Sequence, residues 1–133
     1  MLRILLFCFA MFGFIPGFCQ LNTNAINATF YEFTAYIESI NNEILIDARP
    51  EDEVGKGGFS NSIAVSTKAQ LENIIGEIDK SMPILVYCME GERSVMVCNT
   101  LIEQGFDIVI NLEDGIRKHK KQLKKFNQKQ EQQ

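Results

Sequence analysis

"ILVYCMEGERS", residues 84–94, sets a continuous apolar run against a short polar loop led by a single cysteine. The run Ile84, Leu85, Val86, Tyr87, preceded by Pro83, reads as a strand buried on both faces, as in the middle of a parallel sheet. Beyond the loop a helix is expected to begin near Arg93, to be apolar-periodic over residues 95–104, and to end at Gly105. Strand, loop and helix in that order are half of a βαβ unit, so this stretch alone points to an α/β domain.

The flanking sequence repeats the alternation. Upstream, Phe30, Phe33, Ile37 and Ile40 recur at helical spacing and predict a helix over 29–39, with Asn27 or Thr29 as its cap. "EILID", residues 43–47, is a short buried strand ending in a carboxylate. Pro50 opens a short acidic turn that Gly55, Gly57 and Gly58 break. Residues 62–66 read as another short strand, and 68–79 as a helix with Leu71, Ile74, Ile75 and Ile78 inward. Downstream, 107–111 is a strand, and a last helix starts near Gly115 with Ile116, His119, Leu123 and Phe126 along one face. The expected fold class is α/β, a small parallel sheet with helices on both faces. Its 133 residues suffice for one such domain.

The two ends read differently. Arg3, the apolar stretch 4–15 and the Pro16-Gly17 break have the layout of a secretory signal peptide over residues 1–19, too short for a comfortable membrane span. The expectation is therefore an exported protein, in a bacterial periplasm, without a stable membrane span once the leader is cleaved. The alternative is a membrane anchor through an uncleaved leader or a lipidated Cys19. Residues 20–28 are polar and read as a loose segment, 29–126 as the folded domain, and the Gln/Lys-rich 127–133 as a fraying tail.

The net charge of −4 hides an asymmetry: residues 20–116 hold five Lys/Arg against sixteen Asp/Glu, while from Arg117 onward seven basic residues face Glu131 alone. Such a body repels nucleic acid and anionic lipid, so no nucleic-acid partner is expected. The basic end reads as a solvated helix face, or one that docks on the protein's own acidic body or on an acidic partner.

After leader removal the cysteines are Cys88 and Cys98. Cys98 falls more than a turn inside the helix that Cys88 precedes, and at about 1.5 Å rise per residue the pair exceeds the roughly 7 Å Cα limit of a disulfide. Two separated cysteines and the single histidine, His119, make no metal site. Cys98 and His119 both read as packing residues.

Cys88 stands at the carboxyl end of a central strand, where ligands bind in sheets of this kind. A loop curling around its sulfur turns the amides from Met89 onward inward, Gly91 permits the tight backbone, and Arg93 and the helix start add positive charge. That is a cradle for a thiolate or an anion.

These residues resemble a known family. "YCMEGERS" is similar to the active-site loop of rhodanese-like sulfurtransferase domains, Cys-x-x-Gly-x-Arg-Ser after a buried strand. "LIDARPEDE", residues 45–53, resembles the family's Asp-x-Arg segment, and "LIEQGFDIVINLEDGI", residues 101–116, its Gly-Phe, strand and Gly-Ile close. The resemblance covers about residues 30–120. It implies a sulfurtransferase that holds sulfane sulfur as a persulfide on Cys88 and passes it to a thiol, cyanide or a protein acceptor, with no cofactor. Carried over residue by residue, Cys88 is the nucleophile, Met89, Glu90, Gly91, Glu92, Arg93 and Ser94 form the binding loop, and Asp47 and Arg49 support it. The implied partners are a small-molecule donor, thiosulfate or a low-molecular-weight persulfide, or a protein sulfur donor or acceptor; oligomeric state is left open.

The chain departs from the family pattern where Gly-His-Ile is usual and it reads Gly58-Phe59-Ser60, and where Gly-Gly becomes Asp114-Gly115. Glu90 and Glu92 are expected to disfavour a dianion such as thiosulfate. Cysteine phosphatases share the physical logic but place five residues between Cys and Arg, against four here. The remaining alternative is a non-catalytic rhodanese-like module that binds a protein partner.

Overall fold

The computed structural model describes residues 24–133. The expected leader, 1–19, lies outside the described residues. Five strands form one all-parallel sheet in the order β1-β5-β4-β2-β3: β1 (Ile26–Ala28), β2 (Ile44–Asp47), β3 (Ile63–Ala64), β4 (Ile84–Tyr87) and β5 (Val109–Leu112). The helices are α1 (Phe30–Ser39), α2 (Glu51–Val54), α3 (Lys68–Ile75), α4 (Glu92–Glu103) and α5 (Lys120–Gln130), with a 3-10 turn at Arg117–His119.

Alternation along β4 splits the core. Ile84 and Val86 face one side with Cys88, where Leu71, Ile75, Cys98 and Leu101 of α3 and α4 cover them. Leu85 and Tyr87 face the other, against Phe30 and Phe33 of α1, Phe59, and Leu123 of α5. Every residue of β4 is fully buried, consistent with a central parallel strand, and each such aliphatic side chain contributes about 1.5–3 kcal/mol. Capping boxes start α1 and α3: Thr29 pairs with Glu32, and Thr67 with Gln70. Thr29, not Asn27, is therefore the α1 cap.

Three expectations need correction. Residues 26–28, read as part of a loose segment, form β1, paired with β5 from Ile26↔Ile110 to Ala28↔Leu112 and pinned by Asn111 Nδ2 donating to Asn27 Oδ1 at 3.0 Å. A three-residue edge strand, Ile-Asn-Ala, is too short to carry a periodicity of its own; its pairing with β5 specifies it. The helix expected over 68–79 ends at Ile75, where Gly76 takes the C-cap. The tail 127–133 does not fray from its first residue, because α5 continues to Gln130. Asn127 Nδ2 donates to the Gly58 carbonyl at 2.7 Å, its Oδ1 accepts from Ser60 N at 3.2 Å, and Lys129 Nζ pairs with Glu38 at 2.6 Å. The basic end thus docks partly on the acidic body.

Candidate active site

At the carboxyl edge of the sheet, β4 runs straight into the loop 88–91, and α4 begins at Glu92. Gly91 is the N-cap residue at φ 99°, and α4 has no side-chain cap, so the amides of its first turn remain available as donors. A Cβ on Gly91 would lie 2.0 Å from the Glu113 carbonyl oxygen. Only glycine permits both this φ and this approach.

The loop closes on the sulfur. Gly91 N–H donates to Cys88 Sγ at 3.0 Å. Ser94, buried in the first turn of α4, donates its hydroxyl to the Gly91 carbonyl at 2.9 Å and stands 3.5 Å from Sγ. From the other side the backbone after β5 holds the loop: Ile116 N donates to the Cys88 carbonyl at 3.1 Å and Arg117 N to that of Met89 at 3.0 Å. Gly115 has no room for a Cβ, which would fall 2.4 Å from the Met89 carbonyl.

Cys88, itself 2% exposed, forms part of the wall of a cavity of about 250 Å³ shared with Met89, Glu90, Glu92 and Arg93. Two further residues on this wall escaped the sequence reading, Glu53 of α2 and Arg117. Glu53 lay in what read only as an acidic turn, and Arg117 was grouped with the basic end. Arg117 Nε pairs with Glu90 at 2.7 Å, both side chains more than half exposed. Arg93, expected as a fixed cation, is exposed and makes no hydrogen bond or ion pair among the described residues. It lines the Cys88 cavity and also a separate pocket beside α3.

Asp47 and Arg49 are not on this cavity. They form a buried ion pair, with Arg49 Nη2 2.7 Å from Asp47 Oδ2 and Nε 2.9 Å from Oδ1. Tyr87 donates its hydroxyl to Asp47 Oδ2 at 2.9 Å and accepts from Phe59 N at 3.1 Å, while Arg49 Nη2 reaches the Val54 carbonyl at 3.3 Å. One charge pair thereby ties β2, β4, α2 and the loop after α2 together. Burial pushes the Tyr87 hydroxyl well above its ordinary pKa. Burial alone would lower the pKa of Arg49, but the Asp47 carboxylate more than offsets this and holds the guanidinium protonated. Gly58 packs on this cluster so closely that a Cβ would lie 2.6 Å from Arg49 Nη2.

Cys98 and His119 fall away from the sulfur loop's chemistry. Cys98 is buried in α4, and both cysteines are free thiols. The His119 ring stacks on Phe30 at 4.7 Å.

A parallel sheet ending in a cysteine-led loop, with the Gly91 amide turned to the sulfur, defines a class of α/β domain built around one loop cysteine. The family model for the rhodanese-like domain matches residues 29–122, and the chain belongs to that family. It is 35% identical over 72 residues to the thiosulfate sulfurtransferase GlpE of Coxiella burnetii, covering 54% of this chain and 66% of that protein. It is 32% identical over 80 residues to the putative sulfurtransferase YtwF of Bacillus subtilis, covering 60% of this chain and 76% of that protein. Among solved structures, a rhodanese-like domain protein from Staphylococcus aureus shares the fold, with a TM-score of 0.59, 20% identity, and coverage of 70% of this chain and 87% of that one.

Proposed function

We propose that this protein is a sulfurtransferase that carries sulfane sulfur as a persulfide on Cys88. The observation that carries this reading is the Gly91 N–H donating to Cys88 Sγ at 3.0 Å beside a cavity and the uncapped start of α4. Preorganised N–H donors in a site shielded from water stabilise negative charge on the sulfur and on the persulfide that follows. In the first step the Cys88 thiolate attacks the outer sulfur of the donor. A new S–S bond forms, the donor's S–S bond breaks, and the bonding pair leaves with sulfite from thiosulfate or with a thiolate from an organic persulfide. In the second step an acceptor thiolate or cyanide takes the outer sulfur, and the pair returns to Cys88. No net oxidant or reductant is consumed.

Donors on this reading are thiosulfate, a low-molecular-weight persulfide or a protein persulfide; acceptors are a thiol, cyanide or a protein. The same reading places the protein outside the cytoplasm, in a bacterial periplasm, on the layout of residues 1–19. Recovery of a chain starting at Gln20 from the periplasmic fraction is the expected result, and a retained Met1 would favour an uncleaved anchor.

The deciding experiment is the intact mass of residues 20–133 after thiosulfate and, separately, glutathione persulfide. One added, cyanide-labile sulfur on the wild type and none on Cys88→Ser is expected. A folded, reduced wild type that gains no sulfur from either donor would sink the reading for small donors and leave a protein-binding module or a dedicated protein donor.

A further inference from the structure

A second, larger cavity of about 480 Å³ lies on the far side of Met89, between α5 and the loop after α2. Met89 is common to its wall and to that of the Cys88 cavity, so the two compartments flank one side chain. Their charges differ. Around Cys88, Glu53, Glu90 and Glu92 outnumber Arg93 and Arg117, and Glu90 already occupies Arg117. The larger cavity presents Lys56, Lys120 and Lys124 against Glu131 alone, over an apolar floor of Ile116 and Leu123. Arg49 also lines it. Fully buried, with Nε and Nη2 engaged by Asp47, Arg49 keeps Nη1 without a partner. That nitrogen is closed to solvent, so the direct contacts of a ligand in this cavity fall to the lysines.

A dianion carrying its charge on the reacting end meets the acidic compartment first. A donor with at most one charge on its sulfur end and a remote carboxylate suits both compartments better than a dianion. We propose that the larger cavity holds the carboxylate end of a small organic persulfide, whose sulfur end reaches Cys88 past Met89. This rests on Cys88 being the sulfur carrier and names the donor class. The step is the one above: Cys88 takes the outer sulfur of R–S–SH, the donor's S–S bond breaks, and R–S⁻ leaves and takes up the persulfide proton. The volume falls in the range of ordinary small-ligand sites, about 300–1,000 Å³. The lysines act through long-range attraction, so the preference should weaken with salt.

The test compares glutathione persulfide with the persulfide of glutathione diethyl ester, which lacks both carboxylates. Rates of sulfur loading are read by intact mass on the wild type, the double variant Lys120→Gln/Lys124→Gln and Lys68→Gln, a charge control on α3. The wild type and Lys68→Gln are expected to prefer the free acid at least tenfold in kcat/KM, and the double variant to lose most of that preference through KM. Binding of S-methylglutathione to Cys88→Ser, followed by calorimetry, should weaken severalfold when the same lysines are replaced. Equal use of acid and ester by the wild type overturns the proposal while leaving sulfur transfer intact, as does a preference that survives the double variant. Loading by thiosulfate but by neither organic donor overturns it as well. Loading by no donor removes the transfer reading and this proposal with it.

Discussion

Cys88 and Cys98 belong to the same apolar cluster, ten positions apart, and both are almost fully buried. What differs is the backbone around them. Cys98 sits inside α4, and burial pushes its thiol up to about 12, with Cys88 adding to the rise and its own backbone amide offsetting only part of it. Cys88 stands just before that helix, where the Gly91 amide is turned to its sulfur and a cavity opens beside it. On the proposed function, burial alone leaves a thiol inert, and a cavity beside the sulfur with the Gly91 N–H aimed across the loop distinguishes a carrier from a packing atom.

The largest expected contrast is between the two thiols as carriers. Cys98→Ala should load sulfur at close to the wild-type rate, and in the native wild type iodoacetamide should modify Cys88 while leaving Cys98 unlabelled until the protein unfolds, as read by peptide mass. Labelling of Cys98 at the rate of Cys88 would break the comparison.

Next comes the buried ion pair that ties β2, β4 and α2 together. Asp47→Asn leaves the Arg49 guanidinium buried without its counter-charge, and removal of one partner of such a pair costs about 3–5 kcal/mol. Urea denaturation should show that loss, and Cys98 labelling should accelerate with it.

A subtler cut acts on the cradle itself. Gly91→Ala drives a Cβ into the Glu113 carbonyl at a φ that alanine resists. The loop must shift by about 1 Å, and misplacement on that scale costs about 100-fold in rate. Stopped-flow loading by thiosulfate should show it, while Cys98 stays protected; wild-type rates would separate the cradle from the chemistry.

The smallest effect sharpens the comparison through pH. Cys98 and Tyr87 both have raised values in the fold, so the native state keeps protons that the unfolded chain releases near the ordinary 9.0 and 10.0. Their stabilising contribution is complete below about pH 8 and is lost as pH rises further. Stability should fall by about 1–2 kcal/mol between about pH 8 and pH 10, and Cys98→Ala should flatten part of that slope. A slope unchanged in Cys98→Ala would contradict the raised thiol.

Local pattern made much of this molecule legible. The unbroken apolar run 84–87 could only be a buried strand, the glycine after Cys88 announced a tight loop, and the amphipathic repeats marked α1 and α3, because each of these signals is carried by neighbours in the chain. The sulfur loop was legible for the same reason: its cysteine, amides and serine lie within seven consecutive residues. What escaped was set by partners far along the chain. The strand at Ile26–Ala28 exists because β5 offers an open edge, and α5 persists through Asn127 because Gly58 and Ser60 receive that side chain. The packing of Gly91 on Glu113 and Gly115 on Met89 decided which basic and acidic residues share the wall with Cys88. The sequence by itself determined the class of fold and the place of the loop cysteine within it, since both are written in short-range periodicity and spacing. The charge and shape of the two compartments flanking Met89 were decided only in the tertiary structure, because they arise where segments with no local code for one another meet.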